Sequence, residues 1–183
     1  GRLWDKKGLP PAAVDYLEFV KMLNPDGQLR NYPGSPWLAS QLLRDSDRLR
    51  LYELHSTDVK HLQECFKTAG RQVTVNAGDG FAGLKAILPP PPRRALVLID
   101  PSYETRDDYV NVVKALQEAI KRFATGTYAV WYPMLAKLES RKLPDKLKNL
   151  GAADWLHVTL EVKAPATDGF GMNGSGIFII NPP

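Results

Sequence analysis

Apolar positions recur along this chain with two different periods, and the changes of period divide it into elements. Residues 12–23 carry Val14, Leu17, Val20 and Leu23 at helical spacing, started by Pro10-Pro11 and stopped by the turn Asn24-Pro25-Asp26-Gly27. Ser35-Pro36 reads as an N-cap followed by a first-turn proline, and Leu38, Leu42 and Leu43 give the helix behind it an apolar face. From there strand and helix alternate. Leu49 to Leu54 reads as a strand, and Ser56-Thr57 as the cap of a helix with Val59, Leu62 and Phe66 inward. Gln72 to Val75 is the next strand, and Asp79 stands where it can cap a helix bearing Leu84 and Leu88. Pro89-Pro90-Pro91-Pro92 reads as a stiff extended connector.

The run Ala95-Leu96-Val97-Leu98-Ile99 is continuously apolar, as expected of a parallel strand covered on both faces. Val113, Leu116, Ile120 and Phe123 mark a long amphipathic helix, and Thr127 to Tyr132 the strand after it. The ending differs. Leu156, Val158, Leu160 and Val162 alternate with His157, Thr159, Glu161 and Lys163, the pattern of a half-exposed strand. A glycine-rich loop and the strand Ile177-Phe178-Ile179-Ile180 follow with no helix between, which predicts an antiparallel pair. The expected fold class is α/β, a doubly wound three-layer sandwich with an antiparallel finish.

Composition narrows this only a little. The 183 residues are 44% hydrophobic and 24% charged, ordinary for a globular domain. No apolar run approaches the roughly 20 residues that span a bilayer, and the N-terminus has no apolar signal core. One cysteine, Cys65, excludes an internal disulfide and reads as a small buried hydrophobe. With only three histidines, all scattered, no metal cluster is expected. The net charge of +4 is compatible with a polyanionic partner. Lys137, Arg141, Lys142, Lys146 and Lys148 form the densest basic cluster and the best candidate for phosphate contacts.

Ligands of open α/β sheets bind at the carboxyl ends of the strands, so the residues after each strand carry the candidate chemistry. Glu53 ends the first strand, where a carboxylate suits a ribose diol; a surface ion pair explains it equally well. Asp79 follows the second, where it can accept the amino hydrogens of an adenine, cap a helix, or both. Asp100-Pro101-Ser102-Tyr103 follows the third and is the sharpest signal. Methylation of an aromatic amine would use each part of it. The lone pair of adenine N6 is delocalised into the ring, so a carboxylate and a backbone carbonyl that accept both N–H bonds favour a more tetrahedral nitrogen. Proline keeps that carbonyl aimed, and the tyrosine ring is placed to stack on the base.

The chain resembles the RlmJ-type family of bacterial large-subunit ribosomal RNA adenine-N6 methyltransferases. The stretches that carry the resemblance are Tyr32-Pro33-Gly34-Ser35-Pro36, Glu53-Leu54-His55, Asp79-Gly80-Phe81 and Leu98-Ile99-Asp100-Pro101-Ser102-Tyr103-Glu104. Lys121-Arg122-Phe123-Ala124-Thr125-Gly126-Thr127-Tyr128, Trp131-Tyr132-Pro133 and Ile180-Asn181-Pro182-Pro183 continue it in order.

The resemblance implies a class I fold around a seven-stranded sheet, S-adenosylmethionine as cofactor and S-adenosylhomocysteine as its product, no metal, a 23S ribosomal RNA substrate and work in the cytoplasm. It implies that Asp100, Pro101, Ser102 and Tyr103 form the catalytic turn, and that Ser35, Glu53, Asp79, Gly80 and Asp100 meet the cofactor. Tyr103, Lys137, Arg141, Lys142, Met172 and Asn173 are the candidate substrate contacts, the last two in a glycine-rich loop at 169–176 expected to be mobile. Residues 1–34 correspond to a helical insertion and 35–183 to the methyltransferase core.

The chain also departs from the family. Ser102 stands where the general amino-methyltransferase motif has proline. The family's histidine-bearing start, first core strand and glycine-rich cofactor loop have no counterpart in this sequence, nor does its final helix and strand. Two other readings stay open: a non-catalytic RNA-binding module, separable by cofactor binding, and the same chemistry on DNA adenine or a small amine.

Overall fold

Helix α1 (Pro11–Met22) begins where the backbone of Pro10 is extended and Pro11, whose ring presets the helical φ, occupies the first turn. Its Leu17 and Val20 are buried. The chain then turns around Asn24, a side chain only 3% exposed. The Asn24 amide donates to the carbonyls of Val20 and Asn31, and its oxygen accepts from the N–H groups of Arg30 and Asn31, all at 2.8 Å. The structure, a computed structural model, describes residues 3–164 and 171–183. The chain divides into two compact units, Gly1–Gly80 and Phe81–Pro183.

The first unit continues with α2 (Ser35–Leu42), β1 (Leu49–Glu53), α3 (Ser56–Cys65) and β2 (Val73–Ala77). β1 and β2 pair in parallel, from Leu49 opposite Val73 to Glu53 opposite Ala77, so their carboxyl ends are level. Ser35 does not cap α2. The first helical bond runs from the Leu38 N–H to the Gly34 carbonyl at 3.1 Å, which puts the cap at Gly34 and Ser35 inside the helix. By the same reasoning His55, not Ser56, caps α3, since the Val59 N–H bonds the His55 carbonyl at 3.0 Å. Leu42 is 70% exposed rather than packed. Cys65 ends α3 exposed, not buried, because the inward face of that helix is set by Val59.

Helix α4 (Gly80–Ile87) leads into the second unit, whose core includes Leu84 of the helix and Leu88 just after it. The prolines after it form a tight turn closed by the Arg93 N–H on the Pro90 carbonyl at 2.8 Å, in place of the extended connector expected. Then come β3 (Leu96–Ile99), α5 (Arg106–Arg122), β4 (Thr127–Met134), α6 (Leu138–Lys148), β5 (Trp155–Glu161) and β6 (Gly174–Ile180). The sheet order is β3-β4-β6-β5, parallel between β3 and β4 and antiparallel on both sides of β6. The expected antiparallel finish is therefore present, with β6 inserted between β4 and β5.

The core lies between this sheet and helices α5 and α6. Val112 and Leu116 of α5, Leu143 and Leu147 of α6, Tyr128 and Val130 of β4, and Phe178 and Ile180 of β6 are all 1% exposed or less. The Tyr128 hydroxyl reaches the carbonyls of Phe123 at 2.7 Å and Ala119 at 3.1 Å, fixing the end of α5 on β4. Asn181 ties the end of β6 to the same corner through the carbonyls of Ala124 and Gly126.

The opposite face of this sheet differs from expectation. Leu96 and Leu98 of β3 are 71% and 49% exposed, so β3 is not covered on both faces. β5, expected to be half-exposed, is exposed at every position except His157, so Leu156, Val158 and Leu160 are open along with Thr159 and Glu161. The register explains both: Leu98 and Leu156 share a cross-strand row with Ala129 and Ile179, on the face away from α5 and α6. Among the described residues no helix is long and apolar enough to cross a membrane.

Candidate active site

In the first unit Glu53 stands at the carboxyl end of β1, and Asp79 and Gly80 follow that of β2. Glu53 is half-buried, and one of its carboxylate oxygens accepts the His55 N–H at 2.8 Å. Its own carbonyl accepts the Gly78 N–H at 3.0 Å, which holds the loop after β2 against the end of β1. Asp79 and Gly80 follow that loop, both exposed, with Asp79 immediately before α4. At Gly80 an added Cβ would lie 3.5 Å from Tyr52 Cβ, so Gly80 lies in close contact with Tyr52. Ser35 is exposed in the first turn of α2.

Glu53 at the end of β1 and Asp79 two residues beyond the end of β2 are both carboxylates, a chemistry that accepts hydrogen bonds from hydroxyl and amino groups such as those of a nucleoside. Among the described residues no group of three or more His, Cys, Asp and Glu side chains could hold a metal ion.

In the second unit the turn Asp100-Pro101-Ser102-Tyr103 leaves the end of β3. Asp100 is exposed as a residue, while partial burial of its carboxyl raises its pKa above the ordinary value of 3.8.

Tyr103 differs from expectation. It adopts φ +54, in the left-handed region, and its ring is 2% exposed. The ring packs on Tyr109 with centroids 4.8 Å apart, and its hydroxyl donates to the Trp131 carbonyl at 2.7 Å. Burial first, and the Asp100 charge second, push its pKa well above the usual tyrosine range. A ring so placed is not open to stack on a base. It anchors the turn to β4 instead.

Two further residues fix this turn and were not anticipated. The Asp108 carboxylate accepts the Thr105 N–H at 3.0 Å and the Ser102 hydroxyl at 3.5 Å, while the Thr105 hydroxyl accepts the Asp108 N–H at 3.4 Å. This is a capping box at the start of α5. Its signal is legible as a threonine followed three residues later by an acid, directly before an amphipathic helix.

Lys137, at the head of α6, donates to the Glu104 carbonyl at 3.1 Å, and Arg106 pairs with Glu139 at 3.0 Å. The start of α6 therefore abuts the turn. Arg141 and Lys142 lie exposed along that helix. In the glycine-rich loop, Gly169 and Phe170 lie outside the described residues. Met172 is 46% exposed, whereas Asn173 is buried, its N–H donating to the Met134 carbonyl at 3.2 Å and its carbonyl accepting the Val162 N–H at 2.9 Å.

Comparison with known proteins places these observations. A protein of Haemophilus influenzae named ribosomal RNA large subunit methyltransferase J is 47% identical over 184 residues, covering all of this chain. The chain spans 65% of the length of that relative. A crystal structure of a Legionella pneumophila protein superposes with a TM-score of 0.90 at 37% identity, over 99% of this chain and 67% of that one. A S-adenosylmethionine-dependent O-methyltransferase of Thermotoga maritima shares the fold alone, with a TM-score of 0.50 at 13% identity over all of this chain and 69% of its own. The fold is thus the Rossmann-like α/β type of class I methyltransferases. The family model described as ribosomal RNA large subunit methyltransferase D, RlmJ, matches residues 1–183, and the chain belongs to that family.

Proposed function

We propose that the chain carries the catalytic turn of an S-adenosylmethionine-dependent methyltransferase acting on the N6 amine of an adenine in 23S ribosomal RNA. The observation that carries this reading is the Asp100-Pro101-Ser102-Tyr103 turn: an exposed carboxylate at the end of a parallel strand, on a backbone pinned by Tyr103 to Trp131 and by Ser102 to Asp108. The family membership supports the substrate class.

The cofactor supplies an electrophilic methyl group. In the first unit Glu53 would accept the ribose hydroxyls, and Asp79 and Gly80 would meet the adenine, with Ser35 beside the cofactor from α2. In the second unit Asp100 and the Pro101 carbonyl would accept the two N–H bonds of the target amine. That draws the nitrogen toward a tetrahedral geometry and offsets the positive charge that develops as it attacks. The proton left over goes to water, and no strong general base is assigned. Tyr103 acts as a positioning residue that keeps the Pro101 carbonyl aimed. The target base must be unpaired or flipped out of its stack to reach the turn. Such a substrate would place the work in the cytoplasm.

Calorimetric titration with S-adenosylhomocysteine tests the cofactor half. Micromolar binding by the wild-type chain, weakened roughly tenfold or more by Glu53→Ala, is expected for the loss of charge-assisted hydrogen bonds. Mass spectrometry of 23S RNA incubated with the chain and S-adenosylmethionine tests the transfer. A folded chain that binds no cofactor would leave the non-catalytic reading.

A further inference from the structure

Helix α6 and the residue before it carry Lys137, Arg141, Lys142, Lys146 and Lys148 against Glu139 and Asp145. The buried residues Ser140, Leu143 and Leu147 define the inward face. At 100° per residue the five cations do not form one patch but two flanks. Lys137, Arg141 and Lys148 fall within about 40° of one another on one side, while Lys142 and Lys146 fall on the other, where Glu139 pairs with Arg106.

The first flank has fixed ends. At its head Lys137 touches the Glu104 carbonyl, one residue beyond the catalytic turn. At its foot the Lys148 ammonium sits 5.1 Å from the centroid of the Trp155 ring and 3.9 Å from the exposed Asp145 carboxylate, a pair that a phosphate would have to displace. Trp155 is 43% exposed and is held flat by stacking on Phe178 at 5.4 Å. Between them Arg141 is exposed and makes no ion pair among the described residues. The helix is about 16 Å long, enough for a nucleic-acid strand to present several phosphates along it.

We propose that this flank is the surface on which the single-stranded RNA beside the target nucleotide lies. Lys137, Arg141 and Lys148 meet phosphates, and Trp155, with Phe178 stacked on its ring and the Lys148 ammonium over it, packs its exposed edge against a base at the far end. The proposal rests on the reading of the Asp100–Tyr103 turn as the place of transfer, which sets where the strand starts. The alternative for such a cluster is a solvated helix face with no directional role, and the two flanks make that alternative testable.

The probe is a short, unstructured, fluorescein-labelled single-stranded RNA, titrated with the whole chain by fluorescence anisotropy at several salt concentrations. Arg141→Gln with Lys148→Gln should lower affinity by roughly tenfold and flatten the salt slope by about 1.4, two phosphate contacts at about 0.7 each. Lys142 and Lys146, first grouped with the other three as phosphate contacts, lie on the other flank and are withdrawn from that role here; Lys142→Gln with Lys146→Gln removes the same charge and should change affinity less than about twofold if contact, not diffuse charge, decides. Thermal melts confirm that each variant is folded. Equal losses from both pairs, or none from either, overturn the proposal. Cofactor titration of the same samples keeps it apart from the methyl-transfer reading. Flank-dependent RNA binding without S-adenosylhomocysteine binding sinks that reading and leaves the surface standing. The reverse pattern sinks the surface alone.

Discussion

The hydroxyl of Tyr103 and the backbone carbonyl of Trp131 are joined by a hydrogen bond of 2.7 Å, between the turn after β3 and the middle of β4. Tyr103 is thereby committed to holding the turn. Replacing it by Phe keeps the ring against Tyr109 and removes only that bond. Tyr103→Phe should cost about 1 kcal/mol of stability, the net worth of a hydrogen bond whose carbonyl stays partly buried. Methyl transfer should fall through kcat, with cofactor affinity unchanged. Denaturant melts and steady-state kinetics read the two effects. Full activity with unchanged stability would show that the bond positions nothing.

Asp100 presents the opposite balance. Its carboxylate is disfavoured by partial burial, so its pKa in the folded chain lies above its unfolded value. Between those two values the folded state holds more protons than the unfolded one, and stability falls as pH rises through that window. Asp100→Asn should therefore be no less stable than wild type at neutral pH, and the difference should vanish in acid below the ordinary carboxylate value. Transfer should drop by roughly 100- to 1000-fold, as when an oriented electrostatic partner of a transition state is removed. A variant that loses stability along with activity would mean that the carboxylate serves the fold.

His157 of β5 bonds the Tyr132 hydroxyl at 2.8 Å, and burial, with Lys148 nearby, pushes its pKa below the ordinary 6.5. The unfolded chain then takes up its proton first as pH falls. Stability should be lost as pH drops below 6.5 toward the folded value. In urea titrations at about pH 7.5 and pH 5, His157→Gln should show a smaller acid-induced drop in midpoint than wild type. Parallel drops in both proteins would assign the acid sensitivity to other groups.

Asn24 makes hydrogen bonds to Val20, Arg30 and Asn31 at 2.8 Å from a nearly inaccessible position. Asn24→Ala leaves several backbone groups without partners, a loss of about 2–4 kcal/mol by the usual cost of unsatisfied buried groups. Limited proteolysis should cut between α1 and α2 in the variant before it cuts anywhere in the second unit. Protection equal to wild type there would show that the Asn24 network is dispensable.

Order and type were legible in the residues for every element except α6 (Leu138–Lys148), for which no helix was expected, and so was the place of the candidate chemistry along the chain. Period and punctuation suffice for that: β1, β2 and β3 each run into Glu53, Gly78-Asp79 and Asp100 because a strand's end is marked by local residues. The antiparallel pairing of β5 with β6 was legible for the same reason, since no helix intervenes to carry a crossover.

Tertiary structure decided which faces are covered and what each side chain does. The alternation Leu156, Val158, Leu160 declares a two-faced strand, but which face turns to α6 depends on the register with β6, and that register set Trp155 and His157 on the α6 side, where only His157 is partly buried. The caps at Gly34 and His55 rather than Ser35 and Ser56 turned on single backbone hydrogen bonds that residue preferences do not fix. Tyr103 follows the same rule. Its place after Asp100 is written in the chain, whereas its burial on Tyr109 and its bond to Trp131 join residues far apart in sequence. Such contacts arise only when α5 packs on the sheet, because burial is a property of neighbours brought together by the fold and not of the residue itself.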